Sequence, residues 1–371
     1  MNVAGERIGD AAPATRRAAP KHYSLIDGLR AAAAIGVLLF HYMHFAMIGT
    51  DHERHFEYLA LQPGRNWLRP LYDLGFYAVP LFWIISGFVF CSVYYDRVTS
   101  TRAFAVNRLA RLYPLHLLTL LVVTALQGIA LARLGHTLLY DNFDLKHFAL
   151  QLGFASDWLV GTGYSFNGPI WSVSVEVVVY ALFWLLLPML RRFGGVALTA
   201  VVLISLIGNA LGEVTRIPFC AFFFFLGVGL NRLYLHCLRK PWLLAGVFAV
   251  LFGAASYGIH QGDETSINIF GLPGLFGGVI LLLALAEPYA AAWLRRAAEW
   301  IGDCTYGIYL WHVPLQLALM LTLLPGTNPS HIAAHGWFLP LWLLSVIAVA
   351  RISFVGFERP MRERLRRWGG G

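Results

Sequence analysis

The sequence predicts an all-α polytopic membrane bundle of about ten transmembrane helices with both termini in the cytoplasm. Of its 371 residues, 58% are hydrophobic and only 13% are charged, whereas a soluble domain carries about a quarter charged residues because its surface must face water. The mean hydropathy of +0.62 points the same way. There is too little polar surface to coat a water-soluble globule, so we expect lipid to surround most of the chain.

Ten apolar runs predict the transmembrane helices in order. A helix needs about 20 predominantly apolar residues to cross a bilayer, and the run at 196–212 is the shortest of the ten. The runs lie at 29–48, 71–94, 113–132, 170–190, 196–212, 217–235, 241–259, 268–288, 305–324 and 336–356.

Both ends of the chain are polar. The first 22 residues are basic and rich in Ala and Pro, and they lack the apolar segment of a secretory signal peptide. We therefore expect a cytoplasmic tail over 1–22, a transmembrane domain over 23–358 and a basic cytoplasmic tail over 359–371, with no soluble catalytic domain appended. The four cysteines show no CxxC spacing, so neither a disulfide framework nor a metal site is predicted.

The distribution of basic residues predicts the orientation. With the N-terminus inside, the inner loops and tails hold 22 of the 28 Lys and Arg residues, and the outer loops hold six. This asymmetry follows the positive-inside rule, and an odd number of spans would have scrambled it. The net charge of +8 is therefore a membrane-topology signal, and no nucleic-acid partner is predicted.

Two connections differ from simple loops. The outer stretch 133–169 is long and rich in aromatic, Gly and polar residues, and we expect it to fold back toward the membrane as a lid. The inner stretch 97–112 carries basic residues on one side of a helical pattern. That pattern predicts a short amphipathic helix at the membrane interface.

The first span holds the strongest pair of ionisable residues. Such groups are costly inside a membrane and are functional hypotheses by default. Arg30 and His41 are eleven residues apart, which is about 20° beyond three turns and roughly 16 Å along the axis. A cation at the inner mouth could hold an anionic donor, while an imidazole near mid-membrane suits general-base chemistry. An Arg that reaches the lipid headgroups and a structural His are the alternatives.

Two neighbours of this pair lie one helical turn away. Asp27 could orient the guanidinium of Arg30 through a carboxylate pairing, or it could be an ordinary ion pair or helix cap. His44 follows His41 by one turn, and we expect a general polar role for it rather than a part in the reaction.

The fourth span opens with the segment WSVSVEVVVY. Glu176 is predicted roughly 9 Å below the outer surface by helical rise, where it could position or deprotonate a hydroxyl or polarise His41. A buried helix–helix pair is the alternative. Trp171 and Ser172 at the same mouth could form a sugar-binding or gating edge, although Trp is also an interfacial anchor.

Four further positions are ambiguous from spacing alone. Arg108 and Arg111 share a helical face and could bind phosphate groups, but contacts to anionic lipid explain them as well. His312, one turn after Tyr309, could line a channel or brace the bundle. Glu358 is expected to pair with Arg359 or with an Arg from another loop.

Six segments together resemble the acyltransferase-3 family of bacterial inner-membrane O-acyltransferases. In chain order they are YSLIDGLRAAAAIGVLLFH, GFYAVPLFWIISGFVF, NRLARLYPLHLL, GPIWSVSVEVVVY, GDCTYGIYLWHVP and FERP. The resemblance covers about residues 22 to 362, and six blocks in order are far more specific than one. Ala31 and Val177 differ from the residues that are frequent at these positions in relatives. We expect these two differences to affect helix packing or the choice of acceptor more than the reaction itself.

The resemblance implies a ten-helix enzyme that uses cytoplasmic acyl-CoA, usually acetyl-CoA, without a metal. The family's Arg-x10-His falls on Arg30 and His41, its Arg-x2-Arg on Arg108 and Arg111, and its buried glutamate on Glu176. It thus favours a donor-binding role for the second pair over lipid contacts. The acceptor-site or supporting residues are expected to be Asp27, Ser86, Trp171, Ser172, Tyr180, Tyr309 and His312.

The resulting hypothesis is acyl transfer across a bacterial inner membrane. Acyl-CoA would dock from the cytoplasm, and the hydroxyl of a saccharide, glycolipid or small molecule would enter from outside, with His41 as general base or acyl carrier. A saccharide transporter or flippase that uses His41 and Glu176 for proton coupling is the competing class. Transporters commonly contain inverted repeats, and the sequence shows none.

Overall fold

The computed structural model describes residues 20, 22–47, 58–159, 161–211, 215–324 and 326–368. Apart from an isolated bridge between Asn142 and Ser165, these residues form helices and connections. The helices are α1 Ser24–Phe40, α2 Arg65–Leu74, α3 Ala78–Tyr94, α4 Thr101–Leu134, α5 Leu145–Leu152, α6 Trp171–Phe193, α7 Gly195–Ala210, α8 Ile217–Arg239, α9 Leu243–Gln261, α10 Leu272–Ala286, α11 Ala292–Gly302, α12 Thr305–Leu323, α13 Pro329–Ala333, α14 Phe338–Ser353 and α15 Arg359–Trp368.

The membrane-spanning segments confirm the predicted fold class. Within the described residues, nine helical segments are long and apolar enough to cross a bilayer, and α7 is a shorter apolar helix. Each of the ten predicted runs overlaps one of these ten segments. The protein is therefore an all-α, multi-pass membrane bundle.

The predicted interfacial helix over 97–112 is wrong. Residues 101–134 form one continuous helix, α4, of 34 residues, which Ser100 caps by accepting a hydrogen bond from the backbone of Ala103. At 1.5 Å per residue this helix is about 51 Å long, well beyond the roughly 30 Å apolar thickness of a bilayer. The polar residues at its start change the surroundings of the helix without interrupting its backbone hydrogen bonds.

Two other boundaries are refined. The first span begins at Ser24 and tightens into a 3₁₀ turn over His41–Ala46, whereas residue 48 of the predicted run lies outside the described residues. At the other end, a π-helical turn over Phe354–Glu358 leads into α15, so residues 359–368 of the predicted tail are helical.

Contacts between helix ends define two faces of the bundle. On the face where α1 begins, Arg191 at the end of α6 donates to the carbonyls of Tyr94 and Tyr95 at the end of α3, and Arg232 pairs with Asp96 at 3.0 Å. We call this the inner face and the opposite one the outer face, following the distribution of basic residues.

Two glycines bring α3 and α8 into close contact. A Cβ on Gly87 would lie 1.8 Å from the carbonyl oxygen of Phe224, and one on Gly227 would lie 2.0 Å from that of Ile84. Small residues at helix interfaces allow such close backbone approach, which stabilises packing where lipid offers no hydrophobic driving force between helices.

We expect Gly87→Ala to destabilise the bundle by at least about 2 kcal/mol, because the added methyl overlaps backbone that cannot move aside. Gly128→Ala in α4 is the matched control, since a methyl group on Gly128 would meet no neighbouring side chain or helix within 4 Å. Thermal unfolding of both variants in detergent tests the difference. Equal midpoints for the two variants would contradict this account of the crossing.

The outer stretch between α4 and α6 is folded and packs against the bundle, and we call it the lid, although its action as a lid stays a prediction. Helix α5 is capped by Asp144, whose carboxylate also lies 2.6 Å from His147. A hydrogen bond attaches the lid to the bundle, because His116 Nε2 of α4 donates to the backbone carbonyl of Gln151 at 2.7 Å. In addition, Trp158 donates to the carbonyl of Ser174 in α6 at 2.9 Å.

Candidate active site

A cavity of about 80 Å³ lies inside the bundle between α1, α3, α4, α6 and α12. Its lining combines cationic, acidic, hydroxyl and aromatic groups. The lining residues are Arg30, Val79, Phe82, Trp83, Ser86, Arg108, Arg111, Leu112, Ser172, Val173, Glu176, Tyr180, Thr305, Tyr306 and Tyr309.

Three guanidinium groups converge on this inner cavity, from α1 and from the first turns of α4. Arg30 lies 3.4 Å from Asp27, so the predicted pairing between them is observed. Asp27 also lies 2.8 Å from His22, and this hydrogen bond raises the pKa of His22 above its usual value. Asp27 is therefore shared between Arg30 and His22, and Arg30 keeps donors for an anion.

Arg108 is held by aromatic rings rather than by a carboxylate. Its guanidinium lies 4.9 Å from the ring centre of Phe90 and 5.6 Å from that of Tyr94, as in cation–π interactions. Its Nε is buried and has no hydrogen-bond partner among the described residues. A guanidinium placed in this way can receive an anionic ligand without first breaking an ion pair.

Glu176 brings a carboxyl group to the same cavity. It is only 9% exposed, and its Oε1 is buried without a hydrogen-bond partner in the part of the chain that the structure describes. Ser86 and Tyr180 lie beside the carboxyl group, and their hydroxyl oxygens are 3.5 Å apart. The carboxyl therefore retains a free acceptor oxygen that faces the cavity.

Ser172 and Tyr309 join α6 to α12 at the outer end of the cavity. Their hydroxyl oxygens are 2.7 Å apart, and Tyr309 donates to the carbonyl of Pro169 at 2.8 Å. The Tyr309 ring also contacts that of His312 at a centroid distance of 6.1 Å. Tyr309 therefore links the cavity to a cluster of histidines.

The histidine cluster consists of His41, His44 and His312. The ring of His41 stacks on that of His312 at 4.9 Å and lies 4.8 Å from that of His44. His41 Nδ1 is 3.1 Å from the carbonyl oxygen of Val37. Because a carbonyl can only accept, Nδ1 carries the proton in the neutral ring and Nε2 carries the lone pair, which is the form that a general base requires.

His312 is buried completely. Neither of its ring nitrogens makes a hydrogen bond of normal geometry to the described residues, so the rings of His41 and Tyr309 are the groups that hold it. Within the described residues, no group of three or more His, Cys, Asp or Glu side chains has a geometry that could hold a metal ion.

Two residues near the cluster were not predicted from the sequence. Gln316 donates to the backbone carbonyl of His41 at 2.8 Å, and its Oε1 lies 3.1 Å from His44 Nδ1. Tyr140 reaches in from the lid, and its hydroxyl lies 3.5 Å from His44 Nε2. Gln316 could have been found as a polar residue one turn after His312 in an apolar span, whereas Tyr140 carried no local signal.

The structure brings most of the predicted site residues together, but in two groups. Eight of them line the cavity, namely Arg30, Ser86, Arg108, Arg111, Ser172, Glu176, Tyr180 and Tyr309. His41 and His312 form the adjacent cluster behind Tyr309, and Asp27 binds Arg30. Trp171 faces a different cleft on the outer face.

Two sequence expectations are refined at this site. Arg30 lines the cavity, whereas His41, in the 3₁₀ turn after α1, faces Val37 and His312 in the adjacent cluster. Their joint action on a donor stays a prediction. Of the two partners expected for Glu358, Arg359 is excluded, because it lies 3.3 Å from Glu363. Glu358 accepts from Ser353 at 3.4 Å and interacts electrostatically with Arg111 of α4.

The fold and the site define a class of protein, namely a multi-pass α-helical membrane protein with a cationic cavity beside a histidine cluster. The chain belongs to the acyltransferase-3 family, whose acyltransferase domain matches residues 23–357.

Curated relatives agree with this assignment. The chain is 23% identical to peptidoglycan O-acetyltransferase OatA of Listeria monocytogenes, over 94% of this chain and 57% of that protein. It is 27% identical to nodulation protein 10 of Rhizobium leguminosarum, over 80% of this chain and 87% of the relative. It is 25% identical to acyltransferase MdmB of Streptomyces mycarofaciens, over 64% and 67% of the two chains.

The chain thus spans little more than half the length of the first of these relatives. No solved structure matches it. The matching family model describes an acyltransferase domain.

Proposed function

We propose that this protein transfers an acyl group, with acetyl as the leading choice, from cytoplasmic acyl-CoA to the hydroxyl of a saccharide at or across the bacterial inner membrane. The observation that carries the proposal is that three guanidiniums line one intramembrane cavity and that Tyr309, in the same lining, contacts the neighbouring histidine cluster. The relatives in Listeria and Streptomyces are an O-acetyltransferase and an acyltransferase by name, which supports acyl transfer.

The residues on the inner side of the cavity fit the anionic end of an acyl-CoA. Arg30, Arg108 and Arg111 offer donors in a planar geometry that matches phosphate oxygens, and only Arg30 among them forms an ion pair with a carboxylate within the described residues. Pockets that enclose a drug-sized ligand measure about 300–1,000 Å³. The cavity of about 80 Å³ must therefore widen by movement of the lining helices when the donor enters.

His41 is proposed to act on the acceptor hydroxyl. In general-base catalysis its Nε2 takes the hydroxyl proton, the oxygen attacks the thioester carbonyl, the carbon–sulfur bond breaks, and the proton passes to the departing thiolate. An acyl-imidazole at the same nitrogen is the alternative route. Gln316 fixes the backbone of His41, and Val37 fixes its tautomer.

Glu176 is proposed to position the acceptor. Its free Oε1 can accept a hydrogen bond from a second hydroxyl of the saccharide, next to the reacting one, as the saccharide enters past Ser172 and Tyr309, whose own hydroxyls bond to each other. Holding this second hydroxyl orients the reacting oxygen and leaves its own proton for His41.

A saccharide transporter or flippase remains the second candidate function. The intramembrane histidines and Glu176 are the observation that favours it, because such groups also form proton relays. The two proposals differ in thioester chemistry, since a transporter leaves acyl-CoA intact.

The test is to reconstitute the purified protein in liposomes with acetyl-CoA labelled in its acetyl group and a panel of saccharides. We expect labelled saccharide together with stoichiometric free CoA thiol. Movement of unmodified saccharide with no thiol release would refute the acyltransferase proposal and support the flippase.

A further inference from the structure

A second, larger cavity opens on the outer face of the bundle, away from the arginines. It measures about 670 Å³, which is within the range of small-ligand sites. The lid forms one wall of this outer cleft and the start of α6 forms its floor. Asn209 of α7, Thr215, Arg216 and the α9–α10 connection line its other sides.

Two buried oxygen atoms in the outer cleft lack partners. Oδ2 of Asp157 and Oδ1 of Asn268 accept no hydrogen bond from the described residues. Burial raises the pKa of Asp157, although the nearby Arg216 opposes the shift. Unfilled buried acceptors are costly unless a ligand or water supplies donors, and hydroxyl groups are donors that suit both oxygens.

Aromatic rings lie beside these acceptors. Arg216 is 2.9 Å from Asp157, and its guanidinium lies 4.7 Å from the ring centre of Trp171 and 5.7 Å from that of Tyr164. This arrangement holds both rings in place at the edge of the outer cleft. Trp and Tyr combine an apolar face with a polar group, as a ligand with alternating C–H and O–H groups requires.

The charges of the cleft argue against an anionic ligand. Among the described residues that line it, Asp157 and Glu264 are carboxylates and Arg216 is a cation already paired with Asp157. The formal charge of the lining is therefore negative, and an acidic ligand would meet repulsion without a free cation in compensation.

Only a thin wall separates the outer cleft from the inner cavity that the arginines line. Trp171 lines the cleft, and the next residue, Ser172, lines the cavity. The ring of Trp83, which also lines the cavity, packs edge-on against Trp171 at 6.0 Å. A ligand in the cleft is thus held one residue layer from the proposed reaction site.

We propose that the outer cleft is the acceptor subsite and that it binds a neutral saccharide, with Asp157 and Asn268 accepting from its hydroxyls and Trp171 and Tyr164 contacting its C–H faces. This inference rests on the proposed function, which it extends by assigning the place and charge class of the acceptor.

The test measures saccharide binding to the whole protein in detergent by calorimetry, with no acyl donor present. The probes are chitotetraose and maltotetraose, which are neutral, and trigalacturonate, which is anionic. Asn268→Leu removes one acceptor oxygen, and Trp171→Ala removes one ring. Asn66→Leu and Trp67→Ala are the matched controls, because both residues are exposed outside the cleft.

We expect at least one neutral probe to bind, and each cleft variant to weaken its binding about tenfold, as for loss of a buried contact, while the controls do not. Binding of neither neutral probe, tighter binding of trigalacturonate, or equal affinity of Asn268→Leu and Asn66→Leu would overturn the assignment. A protein that binds saccharide but transfers nothing would contradict only the proposed function. Transfer with a saccharide KM unaffected by Asn268→Leu would contradict only this inference.

Discussion

Replacing His41 by Ala should lower the kcat for acyl transfer by about 10²- to 10⁴-fold, the range that a general base contributes. The substitution removes the Nε2 lone pair that the Nδ1–Val37 hydrogen bond orients. It leaves Arg30, Arg108 and Arg111 in place, so the affinity for acyl-CoA should be nearly unchanged. Steady-state rates of thiol release and equilibrium binding of acetyl-CoA measure the two quantities.

The control for this prediction is His260→Ala, because His260 lies exposed near the end of α9. Thermal unfolding of the His41 variant shows whether the bundle stays folded. A folded His41→Ala protein that transfers acyl groups at the full rate would exclude His41 from the reaction.

A labelling experiment on the wild-type protein and on His41→Ala distinguishes the two possible roles of His41. A short incubation of the unchanged protein with acetyl-labelled acetyl-CoA and no saccharide should leave no label on the chain if His41 is a general base. Label that is bound to the wild-type protein and absent from His41→Ala would establish the acyl-imidazole route instead.

Replacing Arg111 by Ala should raise the KM for acyl-CoA by about 10- to 100-fold, as expected when a charge-assisted hydrogen bond to phosphate is lost. Arg111 lines the cavity together with Arg30 and Arg108. The maximal rate should change much less, because the proposed general base, His41, lies in the 3₁₀ turn after α1 and outside α4. Initial rates over a range of acetyl-CoA concentrations give both constants.

Arg102→Ala is the matched control, since Arg102 lies in the same helix but is exposed. Raising the ionic strength should weaken donor binding to the unchanged protein and have a smaller effect on Arg111→Ala, which has less charge to screen. A KM that rises equally in the two variants would show that the effect is general surface charge and not a phosphate site.

Most of the fold could be predicted from the sequence because hydropathy and loop charge act locally along the chain. The short helix α7 was recovered from its apolar run alone, and all ten runs correspond to described helical segments. The error over 97–112 has a local cause as well. A change from apolar to basic residues marks where a helix leaves the lipid, but it does not mark where the helix starts.

The candidate site was predicted as a set of residues and not as an arrangement. The cost of placing charged groups in lipid identified Arg30, His41 and Glu176 individually. Their grouping was less accurate, since a regular 100° rotation per residue takes no account of the 3₁₀ turn that begins at His41. Sequence spacing also could not show that Tyr309 joins the two halves of the site.

By itself, the sequence determined the membrane class, the approximate limits of the spans, the predicted orientation and the residues that are chemically unusual for a bilayer. Each of these depends on the properties of single residues or of neighbours along the chain. Only the tertiary structure decided that Gln316 supports His41, that Tyr140 reaches the histidine cluster, and that the outer cleft lies one layer from the cavity. These contacts join residues far apart in the chain, so their formation depends on helix packing, which no local pattern records.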